Sequence, residues 1–247
     1  MRLAIMQPYF VPYIGYFQLM SAVDKIVLLD DVTFISGGWI NRNRITVNGQ
    51  PHWLTLPLAQ ASQNRLINEI EIIDDPVWKR KTMRTLGLTY GGAPFVEEVL
   101  PFLSNLLEEA KGSLSAFLSW HLRQVAELIG IETKIEPTSA IYPKENRHGQ
   151  DRIIDICHRE GATSYINLPG GRNLYDAKLF AAAGINLLFL QPDLETLSLR
   201  HSGDEGPSLS IIDLLMLNPP AAIRAATEMC SLNEMDVKAS CHLDFSP

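Results

Sequence analysis

The first thirty residues alternate two kinds of apolar segment. RLAIM (2–6) and KIVLLDD (25–31) carry short unbroken apolar runs of the kind that strands buried on both faces require. Between them GYFQLMSAV (15–23) spaces Phe17, Met20 and Val23 three residues apart, as one face of a helix does. Strand, helix, strand is a βαβ unit, whose strands pair in parallel with a right-handed crossover. The chain therefore opens as an α/β fold with a mostly parallel sheet.

Further along, ITV and HWLTLPL flank Asn48-Gly49, which predicts a β-hairpin around 44–57. INEIEII (67–73) reads as another strand. Asp74 or Asp75 followed by Pro76 marks a helix start, and APFVEEVLPFLSNLLEEA and SLSAFLSWHLRQVAELIG continue at helical spacing up to a stop at Gly130. Residues 75–130 thus form a helical insertion. Alternation then resumes with the strands ETKIEP, SYINL and NLLFL separated by the helices QDRIIDICHREG and YDAKLFAAAG, so the second half rejoins the parallel sheet. LSIIDLLMLN reads as a structural helix capped by Ser208 or Ser210, with Asp213 in its early turns. The pattern divides the chain into one α/β domain over 1–229, with the helical subdomain 75–130, and a poorly structured tail over 230–247.

Composition narrows the function. With 21 basic and 28 acidic residues the formal net charge is −7, which argues against sequence-independent binding of a nucleic-acid backbone. The three cysteines stand far apart, so neither a disulfide framework nor a zinc site follows. Pro8 and Pro12 interrupt the apolar start as a secretory leader would not, and there is no run of eighteen apolar residues. The expected address is the cytoplasm.

Three stretches could carry chemistry. In MQPYFVPYIGYFQLM the loop after the first strand meets a helix start, where ligands collect in parallel α/β sheets. Gln7, Tyr9, Tyr13 and Tyr16 offer polar and aromatic contacts, and Gly15 would let a ligand approach the backbone. In LLDDVTFISGGWINRNRI, Asp30 and Asp31 stand at the end of the second strand as candidate acid–base groups or holders of a cation. Past Trp39, an extended NRNRI puts Asn41 and Asn43 on one face and Arg42 and Arg44 on the other, and paired guanidinium groups suit a carboxylate or phosphate. In YINLPGGRNLYD, Asn167 ends a strand and Gly170-Gly171 turns toward a helix, again the geometry of an anion site. A proline-stiffened plug, an edge strand with solvated arginines and a plain turn are the structural alternatives.

The histidines show no metal-ligating spacing, and His121, on a helix beside Trp120, reads as a packing residue. There is no G-x-S-x-G elbow, no G-x-G-x-x-G and no P-loop lysine.

The blocks MQPYFVPYIGYFQLM, VDKIVLLDDVTFI, GWINRNRI, DRIIDIC, YINLPGG..LY and LSIIDLLMLN resemble the WbqC-like family in consistent order over about residues 3–220. That bacterial family occurs among genes for O-antigen and other surface polysaccharides. The resemblance implies a transferase or ligase that forms an amide between a small acyl or aminoacyl donor, such as glycine, and the amine of a sugar nucleotide. The chain departs from the family pattern at LRHSGDEGPS, ahead of LSIID, which leaves His201 without an implied role. The opening is also similar in architecture to the HIGH-motif nucleotidyltransferases, with YIGY (13–16) where those carry HxGH. A reaction through an adenylate would use ATP with Mg. A non-catalytic binding or assembly protein of polysaccharide synthesis is the other class. The expected partner is a small-molecule substrate, an amino-sugar nucleotide with a small acyl or amino-acid donor, and the oligomeric state is open.

Overall fold

The computed structural model describes residues 1–193, 199–202 and 206–234. β1 (Arg2–Met6) leads through the proline-containing loop into α1 (Ile14–Ser21) and β2 (Lys25–Leu28), and the two strands pair in parallel. β3 (Arg42–Val47) and β4 (Gln50–Thr55) form the hairpin. Its turn residues Asn48 and Gly49 have φ of 51° and 74°, as a two-residue turn with both central residues left-handed requires. Three two-residue strands, β5 (Leu58–Ala59), β6 (Glu71–Ile72) and β7 (Gly112–Ser113), make a small antiparallel sheet. The helical insertion consists of α2 (Pro76–Tyr90), α3 (Val96–Glu108) and α4 (Leu114–Leu128), with β7 between the last two. Then follow β8 (Lys134–Glu136), α5 (Gly149–Arg159), β9 (Ser164–Asn167), α6 (Ala177–Ala182), β10 (Asn186–Pro192), α7 (Ile211–Leu217), α8 (Pro220–Thr227) and β11 (Cys230–Glu234).

The main sheet has the order β11-β10-β9-β1-β2-β8, and every neighbouring pair is parallel except β10 with β11. The chain moves outward from β1 to β2 and β8, then returns to β9 on the other side of β1. In sheets of this kind ligands bind beyond the carboxyl ends of the strands that flank such a reversal, here β1 and β9.

Alternate residues of each strand feed two cores. Ala4, Ile26 and Ile166 join a cluster with Phe17 of α1, Leu118 of α4, Leu214 of α7 and Ile223 of α8. Leu3, Ile5, Val27, Tyr165 and Phe189 face a second cluster with Ile153 and Ile156 of α5 and Phe180 of α6. Covered on both faces, the strands need apolar residues at every position, which is why they read as unbroken runs. α1 is buried on all sides from Ile14 to Met20 rather than along one stripe. Its one amide there, Gln18, donates to the carbonyls of Ala226 and Met229 at 3.1 and 3.0 Å and so fastens the end of α8.

Three expectations change. Residues 67–73 form a 3₁₀ turn over Ile67–Glu69 and only two strand residues, because the Glu69 side chain folds back onto the Leu66 N–H and the Asn68 N–H bonds the Asp30 carbonyl. β2 ends at Leu28, since the Asp30 and Asp31 amides turn toward the Ser139 hydroxyl. The tail expected from 230 begins instead with a strand: Cys230–Glu234 pairs along β10. Residues 235–247 lie outside the described ones. Among the described residues, no helix is long and apolar enough to cross a membrane.

Candidate functional site

The loop from Gln7 to Tyr13 leaves the carboxyl end of β1 and is held by its backbone. Phe10 N–H bonds the Ile40 carbonyl at 3.0 Å, and the Pro12 carbonyl accepts from Ile211 N–H at 2.9 Å. Val11 lies at the centre with φ of 37°, a left-handed conformation that a β-branched residue adopts only under constraint. The constraint is visible. Val11 N–H donates to Nε2 of His121 at 2.9 Å, and the Val11 carbonyl accepts from Nδ2 of Asn43 at 2.9 Å and Oγ of Ser210 at 2.8 Å. Three distant elements thus fix one strained peptide.

His121 makes this possible by staying neutral. It is fully buried, its ring stacks on Phe117 with centroids 5.5 Å apart, and its Nδ1 bonds the Leu118 carbonyl at 2.7 Å. The proton therefore sits on Nδ1 and leaves Nε2 as the acceptor. Burial pushes its pKa down to about 4, only partly opposed by the Leu118 carbonyl. In sequence His121 looks like packing; a histidine on the buried face that carries Leu118, Leu122 and Val125 was the signal of a positioning role.

With the backbone so held, Tyr9 and Tyr13 remain half-buried at the surface. Burial raises both phenols, and Tyr9 adds to the shift at Tyr13, so both stay protonated donors near neutral pH. The Tyr13 ring lies over Gly15: a methyl group there would stand 2.6 Å from ring Cζ and 2.7 Å from the hydroxyl. The missing side chain of Gly15 makes room for Tyr13. Tyr16 is fully buried, donates to the Gln7 carbonyl at 3.1 Å and packs on Tyr9, so it supports the loop from beneath.

The hairpin supplies the opposite wall. Arg44 stands across from Trp53 in the β3–β4 register, and Trp39 and Trp53 touch with ring centroids 5.5 Å apart. The Arg44 guanidinium lies 5.4 Å from the Trp39 ring and 5.5 Å from the Trp53 ring. That of Arg42 lies 4.1 Å over Trp53 and donates from Nε to the Gly38 carbonyl at 3.1 Å and from Nη2 to the Gly37 carbonyl. Arg42 thereby shapes the 37–38 loop. Asn43 points inward to the loop carbonyls, and Asn41 bonds the Leu56 carbonyl at 3.2 Å.

Between these walls is a cleft of about 320 Å³, lined by Tyr9, Pro12, Tyr13, Trp39, Asn43, Arg44 and Ser208. Six of those seven lie in the two blocks singled out from sequence, and Ser208 adds to them. Flat aromatic faces, phenol donors and a guanidinium suit a polar ring bearing an anionic group.

Asp30 and Asp31 do not line this cleft. Both are buried, and Asp30 accepts from the hydroxyls of Ser115, Thr138 (2.7 Å) and Ser139 (3.3 Å) and from Ser139 N–H at 3.0 Å. Asp31 accepts from Ser139 and pairs with Arg152 at 3.3 Å and Lys144 at 3.5 Å. The pair ties the end of β2 to α4, α5 and the 138–144 segment. Asn167, also buried, donates to the hydroxyls of Tyr165 and Tyr175 at 3.2 and 3.1 Å and accepts from Leu168 N–H. Gly171 is needed because a side chain there would meet Nδ2 of Asn167 at 2.7 Å, while the space at Gly170 is open. This segment coils into a 3₁₀ turn, Pro169–Leu174, rather than a helix start. Asp213 accepts from Tyr90 at 3.0 Å and from Ser202 and is fully buried. Among the described residues no three carboxylate, histidine or cysteine side chains converge as a metal site.

The WbqC-like protein family matches residues 7–225 of the chain. The chain is also 27% identical over 216 residues to the uncharacterized protein Rv1507c of Mycobacterium tuberculosis, covering 87% of this chain and 92% of that one. No solved structure matches.

Proposed function

The chain belongs to the WbqC-like protein family, and from that membership and the cleft we propose that it binds an amino-sugar nucleotide and joins a small acyl or aminoacyl group, such as glycine, to the sugar amine. The observation that carries this reading is the lining of the cleft at the carboxyl end of β1. Tyr9, Tyr13 and Trp39 offer faces and hydroxyls to a sugar ring, and Arg44 offers a guanidinium to a phosphate. In the reaction the neutral amine nitrogen bonds the acyl carbon of an activated donor. The bond from that carbon to its leaving group breaks, and the amine proton departs to solvent or the leaving group. Activation of the donor, as an adenylate from ATP with Mg or in another form, lowers the demand for a strong base. Asp30 and Asp31, saturated with hydrogen bonds, act here as supports of the β2 end rather than as proton acceptors.

A second reading, a binding or assembly protein without catalysis, is favoured by one specific observation: no carboxylate or histidine among the described residues lines the cleft. Purified protein incubated with ATP, glycine and a panel of amino-sugar nucleotides separates the readings. An amide product supports the transferase, pyrophosphate release without amide points to a nucleotidyltransferase, and binding without turnover points to the assembly protein.

A further inference from the structure

A second hollow of about 260 Å³ lies between β4 and α2, walled by Trp53 and Trp78 and edged by His52, Lys81, Thr82 and Thr85. It adjoins the first cleft through a single ring contact, because Trp39 lines the one, Trp53 lines the other, and their centroids are 5.5 Å apart. Both indoles are open to solvent, 39% and 40% exposed. Building on the reading of the cleft as a sugar-nucleotide site, we infer that the binding surface continues over the Trp39–Trp53 pair and that the second hollow receives the nucleoside half of the ligand.

Size, charge and ring chemistry argue together. At about 320 Å³ the first cleft stands at the bottom of the range of small-molecule sites, roughly 300–1,000 Å³. It suits a sugar and its adjoining phosphate, and the remainder of a sugar nucleotide has to lie beyond it. At the boundary stand two guanidinium groups, Arg42 at 4.1 Å and Arg44 at 5.5 Å from the Trp53 ring, where a diphosphate would cross. The chain is acidic overall, with net charge −7, yet no acidic side chain among the described residues lines the second hollow, while His52 and Lys81 do. An anionic ligand with a flat ring fits that lining: Trp78 presents an indole to a base, and threonine hydroxyls on the adjacent turns of α2 reach a ribose.

The test is calorimetric titration of the full chain with UDP, GDP, dTDP and ADP, and separately with glucosamine 1-phosphate. Wild type should bind at least one nucleoside diphosphate. Trp78→Ala and the exposed charge reversal Lys81→Glu should each weaken that binding about tenfold or more while changing the affinity for glucosamine 1-phosphate less than twofold. Tyr13→Ala should show the opposite pattern. Lys81→Glu carries the test alone if Trp78→Ala fails to fold. Binding of glucosamine 1-phosphate with no nucleoside diphosphate bound would overturn the second hollow and leave the cleft reading intact. Nucleotide binding indifferent to Lys81→Glu would do the same, and binding of neither class would overturn both.

Discussion

Replacing His121 by Phe tests the mechanism that holds the loop over the cleft. The phenyl ring keeps the stack on Phe117 and Phe10 but removes the only acceptor shown for Val11 N–H, leaving a buried donor unmatched. Such a loss costs about 1–3 kcal/mol at neutral pH, before any relaxation of the Val11 backbone. Acidification probes the same contact in wild type. The folded-state pKa of His121 lies at about 4, below the ordinary value of 6.5, so between those values the unfolded chain binds a proton that the folded chain does not. Stability from this group is therefore full above pH 6.5 and is lost as pH falls toward 4, by a total of about 3 kcal/mol. His121→Phe lacks that slope. Urea unfolding at pH 7, 6, 5 and 4.5 should show the variant less stable at pH 7, with the gap to wild type closing as pH falls. Parallel loss of stability in the two proteins across that range would mean that His121 is not the titrating support of the loop.

Other expectations follow from single contacts. Gly15→Ala should raise helix propensity by about 1 kcal/mol yet expel the Tyr13 ring from its seat, so the melting temperature holds while affinity for glucosamine 1-phosphate falls several-fold in calorimetry. Asp30→Ala should lower stability by roughly 2–4 kcal/mol, measured in urea, because it strands the hydroxyls of Ser115 and Thr138 and the Ser139 N–H; an unchanged melting temperature with lost turnover would return Asp30 to a catalytic role. Cys157, buried with its thiol pushed up to about 12, should escape iodoacetamide at pH 8 until the protein is denatured, as peptide mass spectrometry would read directly.

What could be read from sequence was local. The apolar runs of β1 and β2, the Asn48-Gly49 turn and the aromatic loop each announce themselves within a dozen residues, and the cleft walls come from two such blocks. Asp30 misleads because its partners Ser115, Thr138 and Ser139 are 85, 108 and 109 residues away. A carboxylate at a strand end looks available until those hydroxyls are brought to it. Tyr16 misleads differently, since a helix wrapped on every side shows no polar stripe to tell an inward tyrosine from an outward one.

That wrapped helix has a consequence for reading related sequences. From Ile14 to Met20, α1 offers no position where a side chain meets only water. Sameness along this stretch among relatives would record the tightness of its seat as much as any chemistry. Drift at Tyr9, Tyr13, Trp39 or Arg44, by contrast, would alter the walls of the cleft itself.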